Sequence, residues 1–543
     1  MPTSSPTSCL RASVPSCLLR LLTLPRCNSA TLPLSRRLRA FLHSCLLFTL
    51  PLCHFVTLPL LFCPSPAAAQ LDDRHPQIER IVELHGAVAG AFARQAIPEA
   101  EAALRELIDL EPHNFVNWYN LACARARQDD AEQACEYLMG ALERGFIDLN
   151  QLKGDPNLEP IRESETYRKV VANWQMLVDK HVDANLAVVQ KQYNPRLYET
   201  VKDHDLRLAY YSAFDPESFE DARREIDLIA KWASDNVFEN VNTPEFLSDK
   251  PWIIVLLPNR RDFVRWATSV YGPEAINSMN QIGGSYMHDK KQLVAQDLGS
   301  SLRHEFFHVL HWRDNMQHRQ AHPVWIQEGL CSLIEDYDVK EGDLVPAPSW
   351  RTNTAVRLAN GGSLMHLTEL ATLPRGRFTG SRPLAHYAQA RTLFLYLYRM
   401  GKLKAWYETY RRTYSEDPTG IRALEIVFGA DIDQVNDDYQ SWVRLLPEIP
   451  EWNRTRDGFV SIGVDINPGD GDGPIIEHVA RREAQAAGLR ARDVITAIDG
   501  RPTRDVHELL RVLNDYDPGD TIEISYRRRN RHETASVTLT ERR

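Results

Sequence analysis

Apolar positions divide the chain into three stretches of different pattern. Residues 78–178 read as helical and repetitive: Leu84, Ala100 and Leu104 recur 34 positions later as Trp118, Ala134 and Leu138. Pro112 closes the first unit, Ala100 and Ala134 are small enough for helices to cross, and a trailing helix is expected near Tyr167–Val178. From 180 to 450 the pattern becomes mixed. Leu206–Phe214 and Trp252–Leu257 read as strands, Glu217–Phe238 and Asp262–Tyr271 as amphipathic helices, and Gly283–Met287 with Gln292–Ala295 as a strand pair. Further helices are predicted around residues 304 and 328 and over Leu384–Arg399. After a linker at Pro447–Pro450, residues 456–541 alternate short apolar strands with turn residues and one helix, Val506–Leu513. The expectation is an α+β multidomain chain: a helical repeat region, a small sheet covered by helices, and a compact β-rich end.

Charge is uneven. Lys+Arg total 63 and Asp+Glu 73. Residues 1–69 hold six arginines (11, 20, 26, 36, 37 and 39) and no acid, which leaves the remainder at −16. A body this acidic lacks the basic face that nucleic-acid binding requires. Arg36, Arg37 and Arg39 precede a mostly apolar run, Phe41–Phe62, and then Pro66-Ala67-Ala68-Ala69-Gln70. That order predicts a signal peptide over 1–69 cut after Ala69, hence a periplasmic or extracellular protein. Left uncut, the same apolar run would be a membrane anchor. Six of the nine cysteines fall in this leader. The remaining Cys123, Cys135 and Cys331 have no close-set pairing and are expected as buried thiols.

The candidate chemistry lies in Arg303-His304-Glu305-Phe306-Phe307-His308-Val309-Leu310. Four residues apart on a helix, His304 and His308 share a face and can bind one metal ion through their imidazoles. Glu305 points beside that face, where it reaches a water molecule rather than the metal. Phe306, Phe307, Val309 and Leu310 suit a helix buried beneath a cleft. Zinc chemistry needs a third protein ligand and one open position. Glu328, in Trp325-Ile326-Gln327-Glu328-Gly329-Leu330, is the expected third ligand to one Zn²⁺ per chain.

With 19 residues between His308 and Glu328, this pattern resembles the gluzincin branch of zinc metallopeptidases. The resemblance implies a thermolysin-like zincin domain over 180–450, with Glu305 as general base. In the metzincin branch Asp314 would be the third ligand, but that branch needs a glycine where His311 stands, so Glu328 is preferred. By the same resemblance Tyr387, 59 positions after Glu328, would steady the oxyanion, with His386 as the neighbouring alternative. Gly284, Ser285 and Tyr286 would form an edge strand that pairs with substrate backbone. Aminopeptidases of this branch carry a glutamate in that strand. None stands between Gly284 and Asp289, which argues for endopeptidase or carboxyl-side trimming activity. Glu335 or Asp336 could orient a ligand histidine.

Residues 78–178 resemble tetratricopeptide repeats, which implies a concave surface for peptides or partner proteins, or else a helical spacer. Ile462-Gly463-Val464, Ala487-Gly488-Leu489, Asp493-Val494-Ile495 and Pro518-Gly519-Asp520 resemble a PDZ domain over 456–541, with Ile462, Gly463 and Val464 as its loop for a peptide carboxylate. Arg492 stands where such domains usually have glycine, and Arg527–Arg529 with Arg531 read as a solvated hairpin end. Partners are therefore peptides or proteins, not nucleic acid, and a membrane only if the leader stays. The competing reading is an exported scaffold whose protease-like domain has lost activity, and a third is a non-peptide hydrolase using the same metal set.

Overall fold

The 34-residue period appears as helix pairs: His75–Ala93 packs on Ile97–Leu110, and Phe115–Ala126 on Ala131–Glu143. The computed structural model describes residues 75–193, 196–239, 251–272, 283–287, 290–451, 460–469, 471–529 and 531–541. The expected leader 1–69, His288 and Asp289 lie outside the described residues. Leu84, Leu104, Leu107 and Leu121 share one apolar cluster, and Ala100 and Ala134 are fully buried. A Cβ on Gly140 would come 2.4 Å from the Trp118 ring, so the glycine is what lets that indole lie flat on the next helix. The trailing helix differs from expectation. It is two helices, Glu165–Ala172 and Trp174–Gln190, broken at Asn173, whose φ −106°, ψ 22° departs from helical geometry. The second runs past residue 180, because Val178, Val182, Leu186 and Val189 keep burying one face.

The central sheet has five strands: β1 (Glu199–Asp203), β2 (Leu208–Ser212), β3 (Trp252–Leu256), β4 (Gly284–Met287) and β5 (Gln292–Ala295). Their order is β1-β2-β3-β5-β4. The β2–β3 and β3–β5 pairs are parallel, and the outer pairs are antiparallel. Every residue of β2 and β3 is buried, as expected of strands covered on both faces. β4 ends the sheet, with Gly284 opposite Ala295. The chain then turns into the metal helix, Ser300–His318, whose Phe306, Phe307, Val309 and Leu310 are wholly buried. The Glu328 helix, Val324–Leu333, follows, and then a hairpin of β6 (Tyr337–Lys340) and β7 (Asp343–Pro346). The Tyr387 helix, Pro383–Arg399, packs closely on the Glu328 helix. That approach depends on Gly329, where a Cβ would stand 2.6 Å from the Phe394 ring. Phe394 in turn stacks on Trp325 at 5.4 Å between centroids. Truncating so enclosed an aromatic costs about 3–5 kcal/mol.

At the C-terminal end, strands Arg531–Thr538, Thr521–Arg528, Val494–Ile498, Ile475–Val479 and Val464–Asn467 lie side by side in that order. Leu509 of the helix Val506–Leu513 shares one apolar core with Ile476, Ile495, Ile524 and Val537. Arg492 holds the turn with φ +74°, a left-handed conformation that a glycine adopts without strain. The arginine hairpin is not simply solvated. Arg527 donates to Asp472 at 2.9 Å and lies 3.3 Å from Asp215 at the start of the helix Pro216–Asn236, while Arg528 pairs with Asp493 at 2.8 Å. Cross-chain carboxylates, invisible in local sequence, claim those guanidinium groups.

Candidate metal centre

The metal helix and the Glu328 helix bring three donor atoms together. Glu328 Oε2 lies 3.4 Å from His304 Nε2 and 3.5 Å from His308 Nε2. Ligands at about 2.0–2.1 Å from a tetrahedral zinc stand about 3.3–3.4 Å apart, and both distances from Glu328 match that separation. Two imidazoles and a carboxylate are also the donor types of a catalytic zinc site. Each histidine's other nitrogen is held from behind. His304 Nδ1 meets Glu335 Oε1 at 2.9 Å, and His308 Nδ1 meets Cys331 Sγ at 3.1 Å. Such contacts fix which ring nitrogen faces the metal.

Cys331 brings a second donor set. One nitrogen of each histidine and Cys331 Sγ all lie within 4.8 Å of one another. Its short contact is to Nδ1 of His308, whereas Glu328 faces Nε2 of both rings, so the two donor sets use different sides of His308. The expected buried thiols hold for Cys123, Cys135 and Cys331, all of them free.

Burial pushes the His304 imidazole down, but Glu328 and Glu335 outweigh it and raise the ring to about 10. Burial pushes Glu335 up, yet Arg351 and His304 hold it down at about 2. Arg351 reaches Glu335 with both arms, at 2.5 and 2.9 Å. Burial raises the Glu305 carboxyl, with Glu328 and Glu335 adding to it against the two histidines. A field that holds a proton this firmly also favours a divalent cation, which competes for the same nitrogens.

Gly284 of β4 lies against Glu305, where a Cβ would fall 2.4 Å from Glu305 Cγ. Ser285 Oγ is 2.6 Å from Tyr271 Oη. Tyr286 stacks on His308 with centroids 5.2 Å apart, so its ring walls the site. Tyr387 is raised well above the ordinary phenol by burial and the nearby Glu328 carboxylate. Its ring lies 6.5 Å from that of His304. His386 points elsewhere, its Nδ1 held 2.8 Å from the Phe378 carbonyl. Asp314 is likewise apart: the helix runs straight through His311, and Asp314 accepts from Tyr407 Oη at 2.6 Å. Asp336 faces Arg391 at 3.9 Å rather than a ligand histidine. Sequence reasoning missed Arg351 and Arg375. Arg375, half-exposed, sits 3.5 Å from Glu328 Oε1 and donates to Gln327 at 2.6 Å. Isolated arginines carry no local signal that would have singled them out.

At the far end of the chain, Ile462 is buried and Gly463 adopts φ +86°. The Gly463 N–H donates to Ser461 Oγ at 3.0 Å, and its carbonyl accepts from Ala480 and Arg481. The Val464–Asn467 strand, which follows, ends its sheet.

No curated protein sequence matches the chain significantly. Among solved structures it is similar to the HtrA-type protease AlgW with decapeptide, at 22% identity over 16% of this chain and 30% of that one, TM-score 0.15. A serine endoprotease from Yersinia pestis is 20% identical over 20% of this chain and 36% of that one, TM-score 0.14. An aminopeptidase N family protein from Idiomarina loihiensis is 15% identical over 64% of this chain and 67% of that one, TM-score 0.29. The chain thus spans only about a third of the length of the first two. The PDZ domain family matches residues 460–539, and this C-terminal sheet with its single long helix is a PDZ domain.

Proposed function

We propose that the chain is an exported zinc metallopeptidase of gluzincin type that hydrolyses peptide bonds. The observation that carries this reading is that Glu328 Oε2, on one helix, lies within 3.5 Å of Nε2 of both His304 and His308, on another. Zinc held there supplies Lewis acidity toward a scissile carbonyl and acidifies water toward a pKa of about 7.

The chain's own residues do the rest. Glu335 and Cys331 hold the two imidazoles so that Nε2 of each faces inward. Glu305, its carboxyl already raised by burial, accepts the proton of the attacking water and returns it to the leaving amine. Tyr387 donates its hydroxyl to the oxyanion as charge develops there. An extended substrate adds to the outer edge of β4 through the backbone of Gly284, Ser285 and Tyr286, leaving the Tyr286 ring on His308 undisturbed. The PDZ domain, through Ile462, Gly463 and Val464, and the helix pairs, read as tetratricopeptide-like, would engage peptide or protein partners.

The test is digestion of an unbiased peptide library by purified residues 70–543, with and without a chelator, beside Glu305→Gln. Zinc should remain in the variant while hydrolysis falls roughly 10²–10⁴-fold. Unchanged hydrolysis by Glu305→Gln, or activity indifferent to chelation, rejects the proposal.

A further inference from the structure

The PDZ domain touches the rest of the chain where the metal helix begins. The turn from β5 into that helix receives three contacts from it. The Leu298 N–H donates to the Gly471 carbonyl at 2.8 Å, and Ser300 Oγ donates to Asp505 at 3.2 Å. Between them, a Cβ on Gly299 would stand 2.5 Å from Arg504 Cβ, so the two segments close up only because residue 299 has no side chain.

Beneath this turn lies a set of buried charges drawn from both sides. Glu225, on the helix Pro216–Asn236, accepts from Arg303 Nη1 at 2.9 Å and from Arg504 Nη2 at 3.0 Å. Glu508 of the PDZ helix comes within 3.4 Å of Arg303. None of these four residues is more than 8% exposed. A buried charge that loses its partner is costly, so no member can leave the arrangement singly. Arg303 also donates to the Glu335 carbonyl at 2.7 Å. The network therefore ends one residue before His304 and on the residue whose carboxylate holds the His304 ring.

We propose that the PDZ domain is a positioning part of the metal centre: Arg504, acting through Glu225 and Arg303, fixes the first turn of the metal helix and with it His304 and Glu335. Ordinary packing between domains would need apolar area, not a chain of buried charges that leads from Arg504 to Arg303, the neighbour of His304. The proposal rests on the reading of His304, His308 and Glu328 as a metal site. Its consequence is that the PDZ domain cannot swing away without loosening that site.

The test uses the full protein and Arg504→Met, which keeps reach and loses charge. In the metal-free variant, amides 300–304 should exchange at least tenfold faster than in the wild type. In the loaded variant, zinc should pass to a chelator at least tenfold faster, and kcat on the peptide library should fall at least tenfold at constant KM. Arg504→Lys, which restores the charge but not the paired Nε and Nη2 contacts to Glu225 at 3.2 and 3.0 Å, should recover part of each loss. A folded Arg504→Met with wild-type exchange and zinc release overturns the proposal. If that variant does not fold, Ser300→Ala decides. Exchange about threefold faster at 300–304 supports the clamp, and unchanged exchange rejects it. A wild-type protein that takes up no zinc would instead defeat the metal reading, while the exchange measurement would still report on the clamp.

Discussion

Glu335 Oε1 stands 2.9 Å from His304 Nδ1, while Arg351 grips the same carboxylate from the other side. The pair holds the ring by Nδ1 and leaves Nε2 turned toward Glu328. Replacing such an outer partner typically lowers metal affinity 10–100-fold. Glu335→Gln, which keeps shape but not charge, is expected to do so, measured by competition with a chelator of known affinity. Affinity within twofold of wild type would mean that the contact does not orient the ring.

Two donor sets share the histidines, and metal content separates them. If Glu328 completes the site, Glu328→Ala should purify with far less than one zinc per chain, while Cys331→Ala stays near one. Cys331 Sγ touches His308 at Nδ1, so its loss removes an orienting contact rather than a ligand. The reverse pattern would make Cys331 the third ligand and Glu328 a bystander.

Gly284 offers a test that leaves the ligands untouched. A methyl group there would overlap Glu305 Cγ at 2.4 Å, so either β4 moves outward or the carboxylate turns. Gly284→Ala should bind zinc as the wild type does and lose roughly 10²-fold or more in kcat/KM. Wild-type turnover would show that Glu305 has room to spare and no fixed task.

Local spacing explains what the sequence disclosed. His304 and His308 are four residues apart on one helix, and their convergence follows from helix geometry alone. The apolar runs of β2, β3 and β5 likewise read directly as buried strands. Glu335 and Asp336 read alike, as adjacent acids at a helix end. Only the tertiary positions of Arg351 and Arg391 decide that one faces His304 and the other does not. The same holds for Arg303, Arg504 and Arg527, which look like surface arginines until carboxylates distant in sequence bury against them. The break at Asn173 was hidden because apolar residues continue on both sides of it.

Asp314 follows His308 by six positions, and its chemistry is that of a buried acid. It is wholly enclosed and accepts from Tyr407 Oη at 2.6 Å. Burial raises its carboxyl from 3.8 to about 6, although the Tyr407 hydrogen bond pulls the other way. Because the folded value is the higher one, the fold favours the protonated form. At pH values below 3.8 both states hold the proton and folding bears no cost. As pH rises from there through about 6 the unfolded chain ionises first, and stability falls by an amount that levels off above about 6. A displacement of this size corresponds to about 3 kcal/mol. Asp314→Asn, which retains an oxygen for Tyr407 and cannot ionise, should therefore leave the melting temperature nearly unchanged near pH 4 and raise it by a few degrees at pH 8. Other titrating groups cancel when each variant is compared with wild type at the same pH. An equal shift at both pH values would show that Asp314 does not change protonation on folding, and a lower melting temperature at pH 8 would show that its charge is held by a partner rather than merely tolerated.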